Sequence, residues 1–587
     1  MPVGRDANAD TARDKLETPA LCTIRVDNKD MKATVSEVTL DQFIDSHHVL
    51  KVRIKQIGTS DASRDVVDFS QFTAMLGKSI FANIKPQGGM VDQAKELEFV
   101  GIITEVSLDN TIDGLNSALI TGLSPTIGMD GARRNAFYYD QSASDIISAV
   151  IGKHPITPGT VDSTSGVLKF CAQYGETDYD FVRRMASSRG LFAHYDGKKF
   201  NACKAGGSAS EELVWRQSLG AFSLGLGTAQ KEFAGQAFDY VQKQTIAQDS
   251  KSLPSQVALS QLSKTSSDAS ANIYKGSSAF PAQVPVPDSK TLDQTLEFAR
   301  NRHLGRMVRA QGSSIIPKIG VGQCIKIKGM GGLDGQYWLK AVHHVFDESG
   351  KYHNTFEASP MDLAFPEEVP FLPLFSHLQS GLVTDNKDPD GMGRIKIQLP
   401  WSPDGTTVWV RVLSPDAGDQ RGWFSLPEIN DEVLVGFEHG SPDHPIVLGC
   451  LYNGKDKPAV ASGDQLDSSK VMTKQFKTRN GNEVTFTDKD GSEKIVITQK
   501  GGDNTITLSL NPKSITIESK GDITIKGDKL KIEGSSVDIQ ASGNASMKAN
   551  GNLDLQAGAN LAAKGSANCN VEGSAMTVIK GGLVQIN

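Results

Sequence analysis

The feature that most constrains the fold is a short repeat near the C-terminal end of the 587-residue sequence. Apolar residues recur two positions apart, and a new pair begins every seven or eight residues. Polar residues separate the two members of a pair, and glycines such as Gly543, Gly551 and Gly558 stand between pairs. A period of two places alternate side chains on opposite faces of a strand. Each repeat therefore holds one strand and one corner, which predicts a β-helix.

Two arrangements of this β-helix satisfy the pattern. One chain could coil alone, with every third strand stacked on the first, or three chains could wind together and each contribute one side of every layer. The second arrangement buries the apolar residues on a shared axis and leaves no lateral sheet edge open. Ten pairs in 515–586 and two looser pairs in 495–508 predict a shaft on the order of 55–60 Å at ~4.8 Å per layer.

The residues expected to line the axis of the three-chain form are large apolar members of these pairs. They are Ile523, Ile525, Leu530, Ile532, Val537, Ile539, Leu553, Leu555, Val571 and Ile579. Because backbone hydrogen bonds between layers would run along the axis, bending the shaft would break many of them together. The repeat therefore predicts a stiff needle and not a binding pocket.

Composition narrows the possible functions. The chain exceeds the ~250–300 residues at which one core stops growing, so several domains are expected. The net charge of −7 and the pI of about 5.9 argue against binding to nucleic acid or anionic lipid. The six cysteines lie far apart without a C-x-x-C pair, so no disulfide framework, zinc module or other cofactor is expected. Residues 1–20 contain no apolar run, so we expect cytoplasmic synthesis without a signal peptide.

The fold class expected from these patterns is mainly β, with an α+β N-terminal part. Residues 1–20 read as a flexible leader, and 21–370 contain short alternating strands and a few helices. Residues 378–455 hold about five short strands with turn signals between them, which suits a small closed barrel such as an OB-fold. Residues 456–480 are expected to be a linker, and 481–587 the needle.

Three helices are expected within 21–370. The first covers 142–150, with Ser142 or Ser144 as the cap, and the second follows an N-cap at Thr177. The third covers 291–304, where Leu292, Leu296 and Ala299 share one face. Between the second and third helices, residues 248–289 are polar and rich in proline towards their end, which predicts a long surface excursion.

Three blocks of sequence, in this order, resemble a known family. They are QYGETDYDFVRRMASSRGLFAHYDGKKF at 173–200, the barrel block that opens with DPDGMGRIKIQLPW at 388–401 and continues through GWFSLPEINDEVLVGFEHGSPDHPIVLGCLYNG at 422–454, and the glycine-punctuated repeat. Together they resemble VgrG, the spike of type VI secretion, and the hub-plus-spike proteins of contractile phage tails and extracellular contractile injection systems.

The resemblance implies a homotrimer with a hub ring up to about residue 370, an OB-fold collar and a triangular β-helix needle. It implies a non-enzymatic spike that caps the inner tube protein, organises the baseplate proteins and punctures the target envelope, with transient contact with the target membrane. A PAAR-type tip protein would dock at Val584, Ile586 and Asn587, and effector cargo would travel with the spike. The protein would be assembled in the baseplate of the contractile particle and ejected towards the target cell.

Some phage spikes carry a lysozyme between barrel and needle, but only about 25 residues separate Tyr452 from Thr478, and a catalytic domain needs ~100. We also expect no effector fused after Asn587. The last histidine is His444, so the H-x-H motifs that hold iron at some spike tips are absent from the repeat.

Two other functions stay open. A cell-wall hydrolase could use an unrecognised hub site, for which the cluster Glu176, Asp178 and Asp180 is a candidate acid and base, although a helix N-terminus explains these carboxylates as well. A solenoid-tailed binding protein would be a monomer. Adjacent histidines such as His343 and His344 point to opposite faces of a strand, which argues against a shared metal ion.

Overall fold

The computed structural model describes residues 16–55, 59–61, 66–67, 70–89, 91–109, 117–253, 258–280, 288–369, 377–402 and 405–586. The chain divides into two compact parts, an N-terminal unit (Met1–Lys457) and a C-terminal unit (Pro458–Asn587). Most of the predicted leader lies outside the described residues, as does Asn587.

The N-terminal unit begins with a long series of strands and a few helices. The strands up to the first helical region are β1 (Thr18–Val26), β2 (Lys29–Asp30), β3 (Val35–Phe43), β4 (Val49–Lys55), β5 (Thr59–Asp61), β6 (Val66–Val67), β7 (Ser79–Pro86), β8 (Leu97–Asp109), β9 (Ser117–Leu123) and β10 (Arg133–Gln141). Those that follow are β11 (Pro158–Val161), β12 (Leu168–Thr177), β13 (Phe192–Tyr195), β14 (Phe200–Cys203), β15 (Glu211–Val214), β16 (Leu219–Leu226), β17 (Phe233–Asp239), β18 (Gln244–Asp249), β19 (Ser278–Phe280), β20 (Val308–Ser314), β21 (Cys324–Lys328), β22 (Gly335–Phe346) and β23 (Lys351–Pro360). The helices are α1 (Ser70–Thr73), α2 (Ala143–Ile151), α3 (Asp178–Ser187), α4 (Gln261–Ile273) and α5 (Ser289–Gly305).

Two rings of strands share the β22–β23 pair. One ring runs through β22, β3, β4, β9, β8, β7, β1 and β23, and the direct pairing of β22 with β23 closes it. The other runs through β15, β21, β22, β23, β20 and β16, and an isolated bridge between Trp215 and Leu219 joins its two ends. Closure of both rings removes most of the free edges that such long strands would otherwise expose.

Alternation along the strands builds the core of the first ring. Val38 and Leu40 on β3 and Leu50 and Val52 on β4 are fully buried, while the residues between them face outwards or are half-buried. Their core is continuous with Phe181 and the other apolar residues of α2 and α3. Burial of each such side chain stabilises the fold by about 1.5–3 kcal/mol.

The three predicted helices are confirmed as α2, α3 and α5. The Oγ of Ser142 accepts a hydrogen bond from Asp145 N at the start of α2, and Thr177 Oγ1 accepts one from Asp180 N at 3.1 Å at the start of α3. The apolar face of α5, formed by Leu292, Leu296 and Ala299, is buried against β17 and β18. Local caps and a 3.6-residue period were sufficient to identify these helices.

The prediction of a surface excursion at 248–289 was wrong for the middle of that stretch. Helix α4 occupies it, and its buried face consists of serines, including Ser263, Ser266 and Ser270. Ser270 Oγ donates a hydrogen bond to Ser266 O at 2.7 Å, so the hydroxyl is satisfied inside its own helix. A hydropathy pattern does not detect a helix whose buried face is built from small polar residues. Residues 254–257 and 281–287 of this stretch lie outside the described residues.

The last part of the N-terminal unit is a small barrel. Its strands are β24 (Gln379–Asp385), β25 (Lys396–Gln398), β26 (Ala417–Gly418), β27 (Arg421–Gly422), β28 (Glu432–Phe437) and β29 (Pro445–Cys450). The main sheet has the order β25-β24-β28-β29, and bridges at Ile395–Val410 and Val412–Val447 bring the segment 410–412 against it. Its core is a cluster of β-branched side chains such as Val383, Ile397 and Val435.

The C-terminal unit opens with an antiparallel sheet. After α6 (Ser462–Gln465) come β30 (Leu466–Asp467), β31 (Lys470–Val471), β32 (Thr473–Lys477), β33 (Glu483–Thr487), β34 (Lys494–Thr498), β35 (Asn504–Leu510) and β36 (Lys513–Ser519). Strands β32 to β36 pair in sequence order as a meander within one chain. This sheet already begins within 456–480, the segment expected to be a linker.

The meander corrects one part of the sequence interpretation. The looser apolar pairs in 495–508 and the pair Ile515/Ile517 were counted as layers of the needle, but they lie on β34, β35 and β36 and pair with each other. Tight reversals explain the difference: Gly501 and Gly502 have φ of +88° and +73°, and only two residues separate β35 from β36. Each strand therefore turns back on its predecessor.

Beyond β36, the chain contains no further described strands that pair with one another. The last backbone hydrogen bond of the meander joins Lys520 N to Asp503 O at 2.9 Å. From 521 to 586, the described backbone contains no helix and no strand paired within the chain. The apolar pairs from Ile523 onwards therefore lie beyond the strands that pair within the chain.

Candidate assembly surfaces

The ten residues predicted to line the needle axis form one exposed set, here called the apolar ladder. Their exposed fractions run from 51% for Leu553 to 78% for Ile539. Large side chains at such exposure are normal singly, but a continuous series of them marks a surface that binds another molecule. The remaining members of the apolar ladder, with exposures between these two values, are Ile523, Ile525, Leu530, Ile532, Val537, Leu555, Val571 and Ile579.

The end of the repeat is equally open. Val584 is 48% exposed and Ile586 is 86% exposed, while the third residue predicted for docking of a tip protein, Asn587, lies outside the described residues. Both described side chains are therefore accessible to a partner.

The small barrel carries a second exposed apolar group. Phe424 is 83% exposed, and Leu413 and Ile429 are more than half exposed. Two tryptophans of the barrel already have neighbours: Trp409 lies under the Lys396 ammonium at 5.0 Å, and Trp401 packs on aromatic rings of the preceding domain. A stack of free tryptophans suited to single-stranded nucleic acid is therefore not formed.

The carboxylates considered for catalysis are held by structural partners. Both oxygens of Glu176 accept hydrogen bonds from the Arg184 guanidinium, at 2.7 and 2.8 Å. Asp178 accepts one from Gln173 Nε2 at 2.9 Å and lies 2.8 Å from His154 Nε2. Burial raises the pKa of Glu176, and Arg184 opposes that rise. These groups connect β12 to α3, in keeping with the capping interpretation.

The paired histidines point to opposite faces, as predicted. His343 is exposed and its Nδ1 lies 2.5 Å from Asp41 Oδ1, whereas His344 is fully buried with Nδ1 2.6 Å from Tyr352 Oη. Within the described ranges, no group of three or more His, Cys, Asp or Glu side chains is arranged to hold a metal ion. In the same part of the chain, no helix is both long enough and apolar enough to cross a bilayer.

Sequence reasoning missed the junction between the barrel and the preceding domain. Asp443, in the loop before β29, accepts a hydrogen bond from Ala172 N on β12 at 2.5 Å. Trp401 of the barrel lies between Phe137 on β10 and Tyr174 on β12, with ring centroids 4.9 and 4.7 Å apart. The only signal in the sequence was an aspartate placed after a proline in a turn, which is also typical of an exposed loop.

Comparison with known proteins identifies both parts of the N-terminal unit. Residues 61–350 match the family described as phage tail baseplate hub (GPD), and residues 379–452 match the type VI secretion system/phage-baseplate injector OB domain. The chain therefore contains one region that matches the baseplate hub family and one that matches the injector OB domain, and these two regions are called the hub and the collar below.

The relatives give the more specific class. The type VI secretion system spike protein VgrG5 of Pseudomonas aeruginosa is 25% identical over 443 residues, which cover 66% of this chain and 54% of the relative. VgrG3 of Vibrio cholerae is 34% identical over 113 residues, covering 18% of this chain and 11% of the relative. The chain thus spans about half the length of VgrG5. The chain is similar to VgrG spike proteins, in agreement with the resemblance of the three sequence blocks.

A solved structure agrees in fold. The lidded Francisella PdpA–VgrG complex aligns with a TM-score of 0.54 at 9% identity, covering 86% of this chain and 80% of that chain. At this identity the similarity concerns the fold alone. It confirms the mainly β architecture expected from the sequence.

Proposed function

We propose that this protein is a homotrimeric structural spike of a contractile injection apparatus and that its action is mechanical. In this proposal, residues 21–370 form the hub ring, 378–455 the collar, and the repeat within 481–587 the needle. The hub would bind the inner tube and baseplate proteins, and the needle would puncture the target envelope. No catalytic residue is assigned.

The observation that carries the proposal is the exposed apolar ladder. Every one of its ten side chains is at least half exposed in a single chain, although the same residue types are fully buried in the strands of the hub. Removal of this apolar surface from water is worth ~25 cal/mol per Å². Since 521–586 contain no strand pairs of their own in the described structure, a covering surface supplied by other chains is consistent with this exposure.

We favour three copies of the same chain as the source of the surface that covers the apolar ladder. A single-chain coil would pair every third strand within 521–586, and no such pairing is described there. Three identical strands around an axis bury the apolar ladder on the inside and expose the polar residues between its members, such as Thr524 and Asp554. Each backbone would then find its hydrogen-bond partners on neighbouring copies.

The proposed needle is shorter than the repeat alone suggested. Since Ile515/Ile517 belongs to β36, nine of the ten apolar pairs remain beyond the meander. At ~4.8 Å per layer they give a shaft on the order of 40–45 Å. Stiffness in this shaft follows from hydrogen bonds that run along the axis between layers.

The partners are part of the same proposal. Val584, Ile586 and Asn587 would dock a PAAR-type tip protein, and the exposure of the first two side chains supports this assignment. Effector cargo would be carried with the spike, and membrane contact would be transient. The Francisella VgrG was solved in complex with PdpA, which supports partner binding for that protein.

The mass of the purified full-length protein in dilute buffer, measured by light scattering after size exclusion, tests the proposal. We expect about three times the 63.0 kDa of one chain. Leu553→Asp should abolish the trimer, because three buried carboxylates would repel one another without a compensating charge.

The matched control places the same charge on the other face of a nearby repeat. Ser546 lies between Ala545 and Met547, so Ser546→Asp should leave the trimer intact. A stable wild-type monomer would overturn the proposal. Equal loss of the trimer in both variants would contradict the assignment of faces.

A further inference from the structure

The hub and the collar meet at a two-stranded ribbon, formed by β10 and β12 and here called the β10–β12 ribbon. Its strands pair only with each other among the described strands. One face of the ribbon contacts the collar through Phe137, which packs against the collar core although it belongs to the hub. Tyr139 Oη on the same strand donates a hydrogen bond to Thr406 O of the collar. The collar core is therefore completed by a hub residue.

The outer edge of β12 is closed by the collar at one residue. Ala172 N donates a hydrogen bond to Asp443 Oδ1 at 2.5 Å, and Ala172 O accepts one from Arg184 Nη2 at 3.3 Å. Both backbone groups of Ala172 point away from β10, where a third strand would otherwise pair. Asp443 thus supplies the acceptor that a neighbouring strand would have supplied.

Charged groups near Asp443 favour one position of this aspartate. The Arg184 guanidinium pairs with Glu176 at 2.7 Å and also exerts an electrostatic influence on Asp443. Burial raises the pKa of Asp443, while Arg184 and the Ala172 N–H lower it. A carboxylate taken out of water at this place is tolerated only with those two partners, so a displaced collar would leave it unpaired.

Aromatic packing fixes the same junction from a second side. Trp401 contacts Phe137 and Tyr174 on the two strands of the ribbon, and its Nε1 donates to Gln379 Oε1 of the collar at 2.8 Å. The indole is therefore held by the collar while its ring packs on the hub. Contacts on the face and on the edge of the ribbon together restrict both sliding and rotation.

We propose that the β10–β12 ribbon is a rigid coupling that makes hub and collar one cooperative body, with Asp443 as the positioning residue that sets the collar on the hub. The coupling concerns contacts within one chain. It therefore holds whether or not the C-terminal unit forms a trimer, and its failure would be distinguishable from failure of the proposed function.

Hydrogen exchange of the full-length protein with Asp443→Ala tests the coupling. Loss of a hydrogen bond to a charged group should raise exchange at Ala172 and along β12 by about ten-fold or more. Hydrogen exchange in the hub strands β3 and β4 should not change. In calorimetry, the single transition expected for hub and collar should split into two.

The control removes a carboxylate of the collar that does not touch the hub. Asp416 pairs with Arg421 in the exposed β26–β27 hairpin, so Asp416→Ala should leave β12 exchange at the wild-type level. Should Asp443→Ala fail to fold, Tyr139→Phe removes only the hydroxyl at the junction and should raise exchange around Thr406 several-fold. Unchanged exchange at both junction sites, or a wild-type melt that already shows two transitions, would overturn the proposal.

Discussion

The hub and the C-terminal unit use the same alternating pattern with opposite results. On β3, Val38 and Leu40 stand two positions apart and are both fully buried. In the repeat, Ile523 and Ile525 stand two positions apart and are 54% and 68% exposed. The pattern specifies that two side chains share a face of a strand. It does not specify whether the surface that covers this face comes from the same chain.

The difference between the two regions lies in the pairing of their strands. Strands of the hub are joined so that β22 and β23 close a ring, and each face finds a partner within the chain. In 521–586, apolar pairs recur every seven or eight residues, but the described backbone contains no strand paired within the chain. The arrangement of the strands, and not the apolar spacing, therefore distinguishes the buried core of the hub from the exposed apolar ladder.

The largest change in stability is expected from a cavity made in the core of the hub. Leu50→Ala on β4 removes a fully buried side chain and should lower the free energy of unfolding by about 2–5 kcal/mol. Because the first ring is covered by its own chain, the hub transition should not depend on protein concentration. Denaturant unfolding followed at two concentrations ten-fold apart measures this.

The matched change in the repeat is Ile525→Ala. The C-terminal unit of this variant should unfold at a lower denaturant concentration when the protein is diluted, because exposure of the apolar ladder is coupled to dissociation of the trimer. The comparison fails if both transitions respond equally to dilution. It also fails if Ile525→Ala has no effect at any concentration.

Sequence alone predicted the parts of this fold that local chemistry determines. The caps at Ser142 and Thr177 and the apolar stripe of α5 gave the three helices, and the turn-punctuated strands at 378–455 gave the collar barrel. The resemblance of the three sequence blocks to VgrG gave the class of protein. These features depend on residues close together in the sequence.

What could not be predicted depends on distant partners. Helix α4 buries a face of serines that forms no apolar stripe in the sequence, and β34 to β36 turn back through reversals that the apolar spacing does not reveal. Asp443 gains its role from Ala172, which lies 271 positions away in the chain. No local pattern around an aspartate specifies such a contact. The residues assigned to the needle axis stay a prediction.

A smaller effect is expected from acid, and it should separate the two regions. His48 and His344 are fully buried in the hub, and burial lowers the pKa of each to about 3. In the unfolded chain these imidazoles bind protons below about pH 6.5, whereas in the folded hub they stay neutral until about pH 3. The contribution of the two histidines to hub stability should therefore be complete above pH 6.5 and be lost as the pH falls towards 3. At pH 5 each histidine should lower the free energy of unfolding by about 2 kcal/mol.

The C-terminal unit contains no histidine, since the last one in the chain is His444. Its transition should therefore change less than that of the hub between pH 7 and pH 5. Thermal melts at the two pH values, with His344→Leu as the variant that reduces the hub's response, measure the difference. A hub melt that does not respond to pH would contradict the prediction.

The smallest effect concerns Ala545, where the repeat places a methyl group at a position that holds isoleucine, leucine or valine in most of the other repeats. If this position faces a shared axis, Ala545→Val adds buried apolar surface from three copies and should stabilise the trimer by about 1 kcal/mol per chain. Ser546→Val, one position along and on the opposite face, should have no such effect. Thermal unfolding at fixed protein concentration compares the two variants. Equal shifts would contradict an inward Ala545, whereas destabilisation by Ala545→Val alone would place it inward but in a layer already filled by its neighbours.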